Sequence, residues 1–401
     1  MTPPTTTTTP LLTQKFGPEI TNYFSTSPLN RVSFLRSSNA FLSSALSHGK
    51  FLLLRDLEPL AGSESALAFV GYDSVRELIG NPFAGDGEEE VVKGYDSRVF
   101  VPTLVFLGLH EEEGGFEWVG EGGKYSGRPY FALDVTVKEK GEVCKKVQEE
   151  AVKVEGREFR NVRLDLNLVP GDAAIFAQAR SLLDWNNRNQ FCSACGARTV
   201  SANAGTKRVC PPTDKAFQKS LEDEPFQRPP CISRTGVHNI AFPRTDPTVI
   251  MAIINSTGDK LLLGRQRRWP KNFYSTLAGF CEPAESIEDA VRRETWEESG
   301  VRVGRVVIHS TQPWPYPANL MMGAIGEALP DGEEIVLKHD PELEDARWVG
   351  FAEVKSALEG CTGTPDGGKV GEEGQLRLPP STAIAHQLLL AVVTGFHLAK
   401  L

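Results

Sequence analysis

An α+β chain of more than one domain is predicted by three observations. Its 401 residues exceed what one ordinary core holds. Its first part alternates short apolar runs with Gly, Asp and Pro, the pattern of strands and turns. Its last part mixes such runs with helical periodicity, and a cysteine cluster separates the two parts. The composition, 40% hydrophobic and 24% charged, is that of a globular chain. A formal net charge of −9 argues against a broad nucleic-acid footprint and leaves room only for a local basic patch.

The elements follow in chain order. The start, MTPPTTTTTP, has no basic stretch before an apolar one, so it is not a secretory signal. Residues 1–19 are expected to be a disordered leader. Residues 20–171 are expected to form a β-rich domain, with strand candidates at 51–57, 66–72, 98–110 and 130–137. The acidic runs GDGEEE and HEEEGG read as solvated loops. Residues 172–190 read as a connecting helix that Asp172 caps, with Ile175, Ala179, Leu182 and Leu183 on one face. Residues 191–236 hold the clustered cysteines and a Pro- and charge-rich insertion at 211–230.

Residues 237–398 read as a mixed α and β domain. Pro247–Gln266 is strand, turn, strand, with Ser256-Thr257-Gly258-Asp259 as the turn. A Gly-rich loop at 360–375 precedes a last helix after Pro379 and Pro380. The apolar run at 388–396 is too short to cross a bilayer, so no membrane role is expected. The sequence shows no internal repeat. The last residues, Ala399-Lys400-Leu401, keep the small-basic-Leu pattern of a peroxisomal address, so a peroxisomal location and an import-receptor partner are expected; the alternative is cytoplasmic.

The cysteines argue for metal. Seven is an odd number, which does not suit a secreted disulfide framework. Cys192-Ser-Ala-Cys195 has the spacing at which two thiolates reach one Zn²⁺ on a tight turn. Cys210 and Cys231 are the expected second pair. The alternatives are a partial site using His238, or reduced cysteines without metal. Cys144, Cys281 and Cys361 read as free thiols.

The stretch 279–301, GFCEPAESIEDAVRRETWEESGV, predicts a helix with Ser286 as cap and Gly300 as its left-handed stop. At about 100° per residue, Ile287, Ala290, Val291, Glu294, Glu297 and Glu298 share one side. An apolar stripe therefore continues as three carboxylates. Clustered carboxylates repel, and a divalent cation with oxygen ligands, Mg²⁺ or Mn²⁺, would compensate them. Arg292 and Arg293 could instead neutralise them as ion pairs.

Gly279, five residues, Glu285, seven residues, Arg293-Glu294, then Glu297-Glu298 and Gly300 resemble the Nudix box, with Thr295 where an aliphatic residue is usual. The resemblance implies an α/β/α Nudix sandwich that hydrolyses a nucleoside diphosphate linked to another group. It makes Glu294 and Glu298 the leading metal ligands and Glu297 a third or outer partner. Glu298 would also activate water, and Arg293 would fix the carboxylates. Glu342 would complete the metal site, with Glu344 as substitute, and the Ala278 backbone is a further candidate ligand. Phe280, beside the box glycine, is read as core or as a stacking ring.

Farther on, TQPWPYPAN resembles the signature that marks NADH pyrophosphatases. Its prolines exclude a helix or a central strand for Thr311–Gly323. By that resemblance Gln312, Pro313, Trp314, Pro315, Tyr316, Pro317, Ala318 and Asn319 recognise the substrate, and Ala385 touches it by its backbone. Aromatic faces held on a stiff arch suit the flat rings of a dinucleotide. The cysteine region resembles that group's structural zinc ribbon. The function implied is hydrolysis of NADH and NAD⁺ to nicotinamide mononucleotide and AMP, with NAD-capped RNA as a further substrate and a homodimer as the assembly. The alternatives are hydrolysis of another dinucleotide or an ADP-sugar, or an inactive nucleotide- or RNA-binding module.

Overall fold

The computed structural model describes residue 13 and residues 20–395, apart from 64, 86, 121–122, 139–140, 163–166, 219–225, 236–241, 340–341 and 361–374. The expected leader, His238, Cys361 and the tail Ala399-Lys400-Leu401 lie outside the described residues. The chain forms two compact units. An N-terminal unit holds Thr26–Thr245 together with Trp314–Ala318, and a C-terminal unit holds the described residues of Met1–Ser25, Asp246–Pro313 and Asn319–Leu401.

The N-terminal unit runs α1 (Asn39–Leu46), β1 (Lys50–Arg55), β2 (Glu58–Ala61), β3 (Phe69–Gly71), α2 (Tyr72–Ile79), α3 (Glu88–Lys93), β4 (Leu104–His110), β5 (Glu117–Gly120), β6 (Gly123–Ser126), β7 (Arg128–Asp134), α4 (Gly141–Val152), β8 (Glu158–Phe159) and α5 (Pro170–Arg188). A short hairpin follows, β9 (Val200–Ala202) and β10 (Lys207–Val209). The main sheet has the order β4-β7-β1-β2-β8, with β3 also paired to β1. β1 and β7 are parallel, so both are buried on both faces and read as continuous apolar runs. One face, with Phe51, Leu53, Phe106 and Phe131, packs on α1, α2 and α4. Against the other lies α5, whose Gln178 Nε2 donates to Leu107 O at 2.9 Å.

Asp172 does not cap α5, which begins at Pro170; its carboxylate accepts from Leu67 N at 2.7 Å. The strand expected from 98 starts only at Leu104, because Val99 and Val101 are exposed and Pro102 donates no ladder bond.

The C-terminal unit runs β11 (Asp246–Ile254), β12 (Lys260–Gln266), β13 (Leu277–Phe280), α6 (Ile287–Ser299), β14 (Val303–Trp314), β15 (Asn319–Ala328), β16 (Leu343–Gly350), α7 (Phe351–Glu359) and α8 (Ile384–Val393). Its sheet has the order β14-β15-β11-β12-β16, with β13 also paired to β11. Alternate residues of β11 and β12 feed two cores. Val249, Met251, Ile253 and Leu262 meet Ala290 and Val291 of α6. Ile250, Ala252, Leu261 and Leu263 meet α7 and α8. This is an α/β/α sandwich. The stretch 311–323 is partly strand, contrary to expectation. Pro313 lies next to the end of β14, a sheet edge that tolerates proline, while Leu320–Gly323 belong to the interior strand β15.

The two sheets share one topology. In each, a central strand is parallel to one neighbour and antiparallel to two others: β1 to β7, β2 and β3, and β11 to β15, β12 and β13. The sequence shows no internal repeat, yet the strand order is repeated. The repeat lies in strand order and burial, which many apolar sequences satisfy.

Candidate active site and zinc site

Helix α6 is placed by both of its ends. Ser286 Oγ accepts from Asp289 N at 3.1 Å, and Gly300 adopts φ 75° while its N–H returns to Trp296 O at 2.7 Å. Ala290 and Val291 are fully buried and fix the rotation of the helix. That rotation carries Glu294 and Glu298 inward and leaves Glu297 more exposed. Thr295 is fully buried and donates to Val291 O at 2.6 Å, so its hydroxyl is satisfied within the helix.

Arg293 organises the acids. Its Nε and Nη2 grip Glu285 at 2.8 and 2.9 Å, a bidentate pair. The second Nη2 proton reaches Phe280 O at 2.8 Å, and Nη1 donates to Glu294 and Glu297, each at 2.9 Å. All five guanidinium donors are thereby used. The contact with Glu285 and those with the other acids hold the Arg293 pKa above its ordinary value, and Arg293 in turn holds Glu285 below its own. Burial pushes Glu294 up although Arg293 opposes it. Gly279 is required by contact: a Cβ there would run into the Glu294 carboxyl. Ala278 pairs with Ile250 in β13, and Phe280, at the end of that strand, is 57% exposed.

The donor set fits a hard divalent cation. Three carboxylates, Glu285, Glu294 and Glu297, face one guanidinium, Glu298 is buried on the same helix, and all candidate donors are oxygens. In this structure Glu294 and Glu297 close on Arg293 instead. Glu342 lies in the turn entering β16, where Gln266 Nε2 donates to it at 2.5 Å. Glu344 is taken by Arg265 at 2.8 Å. Gln266, which also accepts from Arg268 Nε at 2.8 Å, was not singled out in the sequence; no local pattern marks it.

The signature residues separate by role. Gln312 is buried: its amide donates to Tyr23 O and Thr382 O at 3.1 and 2.9 Å and accepts from Ile384 N at 2.9 Å. Those bonds make it a bolt between chain segments rather than a group offered to a ligand. Asn319 Nδ2 donates to Thr248 Oγ1 at 3.2 Å. Trp314 meets the Tyr316 ring edge-on, centroids 5.5 Å apart. Arg180 lies over the Tyr316 ring at 4.4 Å and donates to Pro315 O, so one Tyr316 face is covered. Ser181 Oγ donates to Pro317 O at 3.5 Å, Pro313, Pro317 and Ala318 are half-buried, and Pro315 is buried. Arg180 could not have been found in the sequence, which puts it far from the arch. The Ala385 side chain is buried in the core under α8.

The four cysteines converge. The Sγ atoms of Cys192, Cys195, Cys210 and Cys231 all lie within 4.8 Å of one another, the one such group of metal-ligand side chains among the described residues. Cys192 and Cys231 are 3.6 Å apart and Cys195 and Cys210 3.5 Å. Thiolates around a tetrahedral zinc with bonds of about 2.3 Å stand about 3.8 Å apart, so the set fits Zn²⁺. Ser233 Oγ lies 3.0 Å from Cys231 Sγ and 3.3 Å from Cys192 Sγ, and Arg234 Nη2 reaches Cys210 Sγ at 3.5 Å. Burial opposes ionisation of Cys192, but hydrogen bonds from Ser233 and backbone N–H groups outweigh it and bring its thiol to about 6. Cys144 is buried in the N-terminal core and Cys281 is half-buried.

A NUDIX domain description matches residues 244–363, an NADH pyrophosphatase zinc ribbon domain residues 187–217, and an NADH pyrophosphatase-like rudimentary NUDIX domain residues 48–185. The ribbon match ends before Cys231, which the structure nevertheless brings to the other three. The NAD-capped RNA hydrolase of Schizosaccharomyces pombe is 35% identical over 377 residues, covering 92% of both chains. The NAD-capped RNA hydrolase NPY1 of Saccharomyces cerevisiae is 33% identical, covering 93% of this chain and 96% of its own. The human NAD-capped RNA hydrolase NUDT12 is 34% identical, covering 92% of this chain and 73% of its own. The chain belongs to the Nudix hydrolases, in the group that joins a NUDIX domain to an NADH pyrophosphatase zinc ribbon and a rudimentary NUDIX domain.

Proposed function

We propose that the chain hydrolyses the pyrophosphate bond of NADH and NAD⁺ to nicotinamide mononucleotide and AMP, and removes NAD caps from RNA. The carrying observation is the face of α6, where an apolar stripe seats the helix and Glu294, Glu297 and Glu298 continue it beside Gly279. The names of the relatives support the capped-RNA substrate. Glu294, Glu297 and Glu298, with Glu342, would hold Mg²⁺ or Mn²⁺. Bound there, the metal supplies Lewis-acid charge neutralisation at the pyrophosphate and a more acidic water. Glu298 takes a proton from the attacking water at a carboxylate oxygen. Arg293, anchored by Glu285 and Phe280 O, holds the acids in place rather than binding substrate. Phe280 offers an exposed ring to a base.

Incubation with Mn²⁺ and NADH, products separated by chromatography, tests the reading; no AMP from NADH would overturn it. Trp314→Ala is expected to raise KM for NADH about tenfold, with thermal unfolding little changed. Equal loss of activity and stability would make the arch a structural corner. The zinc is structural in this reading. Cys231→Ser should cut the zinc measured per chain by mass spectrometry and leave a less stable protein. A homodimer is part of the proposal and is read by light scattering. The peroxisomal reading of Ala399-Lys400-Leu401, with its import receptor, is tested by whether that tail redirects a fused fluorescent reporter.

A further inference from the structure

The N-terminal unit holds a cavity of about 760 Å³, inside the range of about 300–1,000 Å³ usual for small-ligand sites. Its lining combines Phe83, Phe100 and Val101 with Arg36, Arg198 and Arg208. Two acids also line it, and both are neutralised locally. Arg98 holds Asp96 at 2.6 Å, and Lys138 holds Asp134 at 3.0 Å. The three arginines have no carboxylate partner among the described residues. Arg208 spends three donors on neutral oxygens, Thr199 Oγ1 at 2.7 Å, Thr199 O at 2.9 Å and Asn186 Oδ1 at 3.1 Å. Burial lowers its pKa to about 10. Arg36 Nε is buried without a hydrogen-bond partner, and Arg198 lies over the Phe191 ring at 5.0 Å.

Half-buried cations without counter-charge, here Arg36 and Arg208, are costly unless an anion meets them, while Arg198 is exposed at the rim. An apolar and aromatic lining beside them suits a flat ring. Leu78 and Ile79, at the end of α2, also line the cavity. In strand order α2 follows β3 as α6 follows β13.

We propose that this cavity is a second binding site, for a nucleoside monophosphate. The phosphate meets Arg36, whose Nε is buried without a partner, through charge-assisted hydrogen bonds, and the base lies against Phe83, Phe100 and Val101. One anionic group and one ring match a few lining cations and one apolar lining, where an RNA strand would need a longer basic track.

The full-length protein is photolabelled with 8-azido-AMP, and the labelled peptides are mapped. Labelling of peptides spanning 78–104 and 198–208 is expected, competed by AMP. Arg36→Glu should reduce it tenfold or more. Val101→Glu should do the same, and since Val101 is 64% exposed the change does not touch the core. Neither variant should alter NADH turnover at saturating substrate. Labelling confined to residues 276–300, or unchanged in both variants, overturns the proposal. Labelling displaced by short uncapped RNA but not by AMP overturns it in favour of RNA. The label reports binding and not hydrolysis, so this result stands apart from the dinucleotide reading.

Discussion

The two sheets of this chain have the same strand order, and they diverge at the exit of the strand that pairs beside the centre. After β3, Gly71 leads directly into α2, whose Val75 and Leu78 go to the core and whose Glu77 pairs with the surface residue Lys146. After β13, residues 281–286 intervene and carry Glu285 to Arg293. α6 then spends its second half on carboxylates. Identical topology thus carries a reaction in one unit and none of that machinery in the other. Clustered acids cost stability, and only a site that uses them keeps them. The N-terminal unit has instead a cysteine set, a buried ion pair and the cationic cavity.

The largest effect is expected from Glu298→Gln. If chemistry resides only where the carboxylate face exists, NADH hydrolysis falls about 10²–10⁴-fold, the usual weight of a positioned base. Initial rates at saturating Mn²⁺ measure it. Undiminished turnover would mean that the box helix is as silent as α2.

The next effect is one of stability and falls in the other unit. Asp214 is fully buried and accepts from Ser97 N at 3.0 Å, Ala216 N at 3.1 Å and Arg228 Nη2 at 2.5 Å. Asp214→Asn leaves the buried Arg228 charge uncompensated and should cost about 3–5 kcal/mol in denaturant titrations. Burial tends to raise the Asp214 pKa, but its hydrogen bonds and Arg228 hold it below the ordinary value. A depressed carboxylate contributes stability above its unfolded pKa of about 3.9 and loses it as pH falls through the folded pKa. The gap between the two proteins should therefore close below about pH 4. kcat of the folded fraction should be unchanged. A fall in kcat to match the lost stability would show that the two units do not divide the labour as proposed.

What could be read in advance follows the range of each interaction. The box helix was legible because its cap, apolar stripe and stop all lie in one short continuous segment, as Ser286, Ala290, Val291 and Gly300 show. Strands β11 and β12 and the Cys192-Cys195 half-site were legible for the same reason. Contacts across the chain were not. Arg180 beneath Tyr316, Gln266 on Glu342 and Arg234 on Cys210 carry no period and no spacing. Asp172 had the right type and place for a cap, yet Leu67 N claims it. The duplicated topology escaped because burial is repeated between β1 and β11 while residue identity is not.

The smallest effect tests whether the box helix tolerates a change that keeps its shape. Thr295 occupies an aliphatic position of the box, fully buried, its hydroxyl donating to Val291 O. That carbonyl is a helix acceptor already, so the extra hydrogen bond adds little. Thr295→Val removes it, together with the desolvated hydroxyl, and supplies a methyl of similar volume. The two terms oppose each other, each on the order of 1 kcal/mol, so the net change should stay within about 1 kcal/mol. Turnover should shift less than twofold, because Thr295 lies on the core side of α6 and touches none of the Arg293 contacts. A large loss of rate with stability intact would mean that the hydroxyl positions Glu294 or Glu298, and the catalytic helix would then depend on a polar core contact that α2 lacks.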